Sequence, residues 1–216
     1  MTRPGALVFD LDGTLIDSRR DIATALNRLR TELRLPPLAL DQVVTMVGEG
    51  AKVLVRRALA DWHGEPTKAI LNRYLSYYEE VCLDTTVPYP GIGEMLAELA
   101  PTYRMAVLSN KGERLSVEIL EGLDLAWRFK EILGGDSLPT RKPSPAGLNA
   151  LADRFDVPVE RLMLIGDSRI DAETARNAGC AFALVEWGFQ RSPGADGLDA
   201  DLLVSSPEEL VQKLVV

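Results

Sequence analysis

The chain reads as an α/β protein built on a parallel sheet, and three observations point that way. Short apolar runs recur at Leu7 to Phe9, Met105 to Leu108, Leu162 to Ile165, Phe182 to Val185 and Leu202 to Val204. Segments with helical spacing alternate with them, as expected when each crossover between parallel strands is a helix. Polar residues stand directly where several of the runs stop, and in open parallel sheets ligands bind at the carboxyl ends of the strands.

The first run, Ala6-Leu7-Val8-Phe9, stops at Asp10, and Asp12 follows within Asp10-Leu11-Asp12-Gly13-Thr14. Almost a hundred residues then pass before the next strand, where a crossover needs only a dozen or so. Three apolar stripes fill the interval: Ile22, Leu26, Leu29 and Leu33; Val53 to Leu59; and Leu71, Tyr74, Leu75, Tyr78 and Cys82. Their spacing predicts helices. We therefore expect a helical cap over residues 16–84, inserted into a core made of residues 1–15 and 85–216. Pro88-Tyr89-Pro90-Gly91 ends the insert, which would stand over the strand ends as a lid.

Beyond it, Ile92, Met95, Leu96 and Leu99 predict one helix, and Leu115, Ile119 and Leu120 another. Ser144-Pro145 supplies a cap and first turn to a helix through Leu148, Leu151, Ala152 and Phe155, and Ser206-Pro207 opens the last in the same manner. The stretch Ser192-Pro193-Gly194-Ala195-Asp196-Gly197 reads as a surface loop.

Composition narrows the function classes. With 216 residues, 46% of them hydrophobic and 26% charged, the chain suits one globular domain plus a smaller insert. A net charge of -8 repels a phosphate backbone, so nucleic acid is not an expected partner and an anionic substrate needs local cations. Cys82 and Cys180 lie outside any Cys-x-x-Cys spacing, which predicts two buried thiols and neither a disulfide framework nor a zinc site. No run approaches the ~20 apolar residues of a membrane span, and the run before Asp10 is too short for a signal peptide. A soluble cytoplasmic protein with no membrane partner is expected. His63, the single histidine, has no partner cluster and reads as a surface or packing residue. A calcium-loop reading of Asp10-x-Asp12-Gly13 fails, because Leu15 and Asp21 stand where the loop requires Gly and Glu.

Ser109-Asn110-Lys111 follows the second apolar run, Gly166-Asp167-Ser168 the third, and Lys142-Pro143 precedes a helix start. One acid after a strand is commonly a turn or cap residue, but four such clusters in one sheet can converge on one crevice. Asp10-x-Asp12-Gly13-Thr14, Ser109-Asn110, Lys142-Pro143 and Gly166-Asp167-Ser168-Arg169-Ile170-Asp171 resemble the four ordered motifs of the haloacid dehalogenase superfamily. The resemblance covers essentially the whole chain. It implies a Rossmann-like parallel-sheet core with a small helical cap. Within the superfamily, the segment from Val47-Gly48-Glu49-Gly50 to Leu59, with Gly134-Gly135-Asp136, resembles bacterial phosphoglycolate phosphatases.

That resemblance implies an Mg²⁺-dependent phosphatase acting on a small phosphate monoester, with 2-phosphoglycolate the leading candidate. Asp10 would be the nucleophile that forms an aspartyl phosphate, and Asp12 the acid and base that serves its two steps. Asp10, Asp167 and the backbone carbonyl of Asp12 would hold Mg²⁺, with Asp171 as an outer acid orienting the cluster. Ser109, Lys142, Thr14 and Asn110 would bind the phosphoryl group. On the cap, Gly48 and Gly50 could offer backbone amides to a substrate carboxylate. Lys52 and Arg56, four apart on one helix face beside Arg57, form either a solvated face or a substrate-reading pair. A sugar phosphomutase and a phospho-accepting signalling domain remain alternatives, and the oligomeric state stays open.

Overall fold

The computed structural model describes residues 3–189 and 199–215. In chain order the elements begin with β1 (Ala6–Phe9) and the short β2 (Ile16–Asp17). Four helices follow, α1 (Arg19–Glu32), α2 (Leu40–Val44), α3 (Ala51–Ala58) and α4 (Lys68–Val81), and then β3 (Val87–Pro88). The remainder alternates: α5 (Ile92–Leu99), β4 (Arg104–Leu108), α6 (Glu113–Gly122), β5 (Glu131–Leu133), α7 (Ala146–Phe155), β6 (Leu162–Gly166), α8 (Arg169–Ala178), β7 (Ala181–Val185), β8 (Leu202–Val204) and α9 (Pro207–Val215).

Six strands form one parallel sheet in the order β5-β4-β1-β6-β7-β8. Period-two alternation sends successive side chains to opposite faces. Leu7, Phe9, Met105, Val107, Met163 and Ile165 pack into the layer that contains Ile92, Ile119 and Leu210 of α5, α6 and α9. Ala6, Val8, Ala106, Leu108, Leu162 and Leu164 pack instead against Leu148, Leu151 and Phe155 of α7 and Ala175 of α8. Burial on both faces explains why the central strands read as unbroken apolar runs. The chain leaves β1 for β4 and β5 on one side and then returns to β6 on the other, so the order reverses beside β1. Asp10 therefore lies at the switch point where open α/β sheets form their ligand crevice.

The long interval after β1 is helical, as expected. Its two connections to the sheet pair with each other, Ile16 with Pro88 and Asp17 with Val87, as an antiparallel ribbon. Buried Asp21 on α1 reinforces this junction by accepting hydrogen bonds from the Thr85 and Thr86 amides and hydroxyls at 2.5 to 3.1 Å. Arg30, fully buried on the same helix, is held by the Pro36 carbonyl at 2.7 Å, the Ala58 carbonyl and the Asp61 carboxylate. Tyr74 and Tyr78 of α4 stack at 6.0 Å.

Some expectations needed adjustment. Strand β5 was not expected, because it has three residues and begins with Glu131. Cys82 is buried, but Cys180, just after α8, is only partly buried against the core. His63 is exposed. The loop expected at 192–197 lies outside the described residues.

Candidate active site

Asp10 is delivered by the end of β1, and its amide continues the sheet by donating to the Ile165 carbonyl at 2.9 Å. Beside it, Lys142 Nζ lies 2.7 Å from Asp10 Oδ1 and 2.6 Å from Asp171 Oδ1, with the lysine and Asp171 both buried. Burial disfavours the ammonium charge, but the two carboxylates more than offset this and hold the Lys142 pKa above the usual lysine range. Asp10 moves the other way. Burial, with the Asp171 charge adding to it, pushes its pKa up to about 7 despite the lysine.

Asp171 has two tasks. Its Oδ2 accepts from the Ser168 amide at 3.2 Å and the Ser168 hydroxyl at 2.5 Å, closing a reciprocal cap on α8, while Oδ1 takes Lys142. The residue therefore begins the helix and also pairs with Lys142. Asp167 follows β6, and its Oδ2 accepts from the Phe189 amide at 2.7 Å. One oxygen from each of Asp10, Asp167 and Asp171 lies within 4.8 Å of the other two, all three residues being buried. Buried carboxylates converge in this way where a cation offsets their repulsion, and oxygen donors suit a hard divalent ion. Both Asp171 oxygens are engaged, one by Lys142 and the other by Ser168. Gly13 makes the close approach possible. Its φ is +89°, and a Cβ there would lie 2.3 Å from Asp167 Oδ2.

Asp12 lies two residues beyond Asp10, where Ser18 Oγ donates to its Oδ1 at 2.5 Å and Lys111 Nζ at 2.7 Å. Ser109 is buried and lines the cavity with Asp12 and Lys111. Asn110 has another role in this arrangement: its amide nitrogen donates to the Gly48 carbonyl at 2.9 Å and the Lys142 carbonyl at 3.0 Å. It ties the helical insert to the lysine loop, with both of its amide hydrogens committed. Thr14 Oγ1 is buried with no hydrogen-bond partner among the described residues.

These strand ends and the insert line a cavity of about 70 Å³. Asp10, Asp12, Ser109, Asn110 and Lys111 form its floor, and Gly48, Gly50, Leu54, Tyr74 and Tyr78 contribute from the insert. Gly48 and Gly50 thus lie where the sequence places them, at the start of α3. Lys52 and Arg56 do not line the cavity. The buried stripe of α3 is Leu54, Val55 and Ala58, so helical spacing leaves Lys52 and Arg56 on the exposed side. Lys111 and Tyr78 are the residues sequence reasoning passed over. Adjacency to Ser109-Asn110 was the available signal for Lys111, whereas Tyr78 read only as part of an apolar stripe.

Two carboxylates two residues apart, a buried lysine and a cluster of buried acids meet at one sheet switch point. A family model for haloacid dehalogenase-like hydrolases matches residues 7–185, and the chain belongs to that family. It is 39% identical over 211 residues to a phosphoglycolate phosphatase of Chromobacterium violaceum, covering 95% of this chain and 94% of that protein. It is 40% identical over 201 residues to a phosphoglycolate phosphatase of Rhodospirillum rubrum, covering 89% and 83%. The crystal structure of a predicted phosphoglycolate phosphatase from Haemophilus somnus superposes with a TM-score of 0.91 at 30% identity, covering 99% of both chains.

Proposed function

We propose that this chain is an Mg²⁺-dependent phosphatase that hydrolyses 2-phosphoglycolate through an aspartyl phosphate on Asp10. The observation that carries this reading is the meeting of Asp10 and Asp12 at one small cavity, with Lys142 paired to Asp10 and Lys111 to Asp12. Relatives named for that activity, aligned over nearly all of their length, supply the substrate. Asp10 attacks phosphorus as the ester P–O bond breaks, and Asp12 gives its proton to the departing alkoxide. Water then attacks the aspartyl phosphate, Asp12 takes the water proton, and Asp10 and inorganic phosphate are released. Lys142 fixes the Asp10 carboxylate and opposes the charge that gathers on the phosphoryl oxygens, with the Ser109 and Thr14 hydroxyls as further donors. Mg²⁺ held by Asp10, Asp167 and the Asp12 carbonyl would neutralise the meeting of two anions and polarise the phosphoryl group. Residues 16–84 act as the cap that excludes water, over a core of 1–15 and 85–216. Among the described residues no helix is long and apolar enough to cross a membrane, and a cytoplasmic location suits a small-metabolite substrate.

The test is a phosphate-release screen over small phosphate esters in EDTA and in Mg²⁺. Release restored by Mg²⁺, with 2-phosphoglycolate the best substrate, is the expected result. A long-lived phosphorylated Asp10 with no steady release from any ester would overturn the phosphatase reading.

A further inference from the structure

A substrate that carries a carboxylate into this cavity needs a cation, because the walls include Ile22, Leu54, Tyr74, Leu75 and Leu115 and offer the charge little solvation. Among the described residues the charged members of the lining are Asp10, Asp12 and Lys111, with Lys111 the one cation. Lys111 is itself withdrawn from water, its side chain 6% exposed. Its ammonium donates to Asp12 Oδ1 at 2.7 Å and to the Tyr78 hydroxyl at 2.7 Å, and lies 4.8 Å from the centre of the Tyr78 ring. An ammonium has three hydrogens. Those two bonds leave the third for a ligand.

The position matters as much as the charge. Asp12 must reach the ester oxygen to protonate it. In an ester of glycolate the carboxylate begins only two covalent bonds beyond that oxygen. A cation in hydrogen-bond contact with Asp12 is therefore next to the carboxylate of such a substrate. Lys52 and Arg56, on the exposed side of α3, are not.

We propose that Lys111, steadied by Tyr78 of the insert, is the specificity residue that receives the carboxylate of the substrate's leaving group. This rests on the phosphoglycolate reading and moves the recognising charge from the cap helix to the loop after β4. Lys111 serves both surfaces of the cavity, since it reaches Asp12 on the core and Tyr78 on α4 with one ammonium.

The experiment compares kcat/KM for 2-phosphoglycolate and for ethyl phosphate, which lacks the carboxylate, in the Mg²⁺-loaded wild type, Lys111→Met and Tyr78→Phe. In Lys111→Met the loss on phosphoglycolate should exceed the loss on ethyl phosphate by about 10- to 100-fold, the range for removing a hydrogen bond to a charged group. Tyr78→Phe should narrow the same preference by a smaller factor, ~3-fold, because the charge stays and only its anchor goes. Equal losses on both esters in Lys111→Met would overturn the proposal and make Lys111 a partner of Asp12 alone, leaving the phosphoglycolate reading intact. If Lys111→Met does not fold, an unchanged preference in Tyr78→Phe overturns it instead. A wild type that does not prefer phosphoglycolate would remove both the substrate reading and this inference.

Discussion

At the scale of single residues, Asp10 faces conflicting demands. A nucleophile needs its charge, yet burial and the neighbouring Asp171 push its pKa up to about 7, against an ordinary value of 3.8. Folding therefore raises the proton affinity of this group. The stability linked to its proton is fully present below the unfolded value and is lost as pH rises through about 7. In EDTA, thermal unfolding of the wild type should thus fall relative to Asp10→Asn between pH 5 and pH 8, since the amide has no proton to lose. Parallel curves for the two proteins would refute this linkage. The same variant, assayed with Mg²⁺, should be folded and without turnover, because an amide is too poor a nucleophile to take the phosphoryl group.

At the scale of elements, the junction between α1 and the strand pair β2–β3 depends on the Asp21 carboxylate. Asp21→Ala would leave the amides and hydroxyls of Thr85 and Thr86 without their acceptor. We expect a loss of about 2 to 4 kcal/mol, seen in scanning calorimetry as a midpoint lower by roughly 5 to 15 °C for a chain of this length. A drop of a degree or two would mean that water replaces the carboxylate. Asp21 also marks where sequence reasoning stops. The central strands were legible because two-sided burial makes them unbroken apolar runs, and Asp10, Ser109 and Asp167 were legible because each breaks such a run at its end. Asp21 and Arg30 are charged positions on amphipathic helices, and the pattern assigns such positions to solvent. Their burial depends on Thr85, Thr86 and Asp61, distant in sequence. For the same reason the meeting of Lys111 with Asp12 and Tyr78 could not be read, as the partners lie 99 and 33 residues away. Strands β2 and β3, two residues each, are too short to show a period.

At the scale of the whole molecule, sheet and insert close on a cavity of about 70 Å³, which makes ester size a selection criterion. Bulky monoesters such as nucleoside monophosphates should be cleaved with kcat/KM lower than that of phosphoglycolate by roughly 10- to 100-fold. That factor corresponds to the ~1–3 kcal/mol cost of forcing excess volume into a packed site. Comparable rates for large and small esters would mean that the insert stands aside during turnover.

The ribbon formed by Ile16 and Asp17 with Val87 and Pro88 has a consequence for ancestry. Because the chain leaves and re-enters the sheet at adjacent points, the closure entropy of whatever lies between rises only slowly with its length. The β1-β4-β6 hydrogen-bond ladder does not involve the insert. The intervening helices are thus an exchangeable module. A lineage could enlarge, shrink or replace them and acquire a new substrate, while inheriting the Asp10 chemistry unaltered.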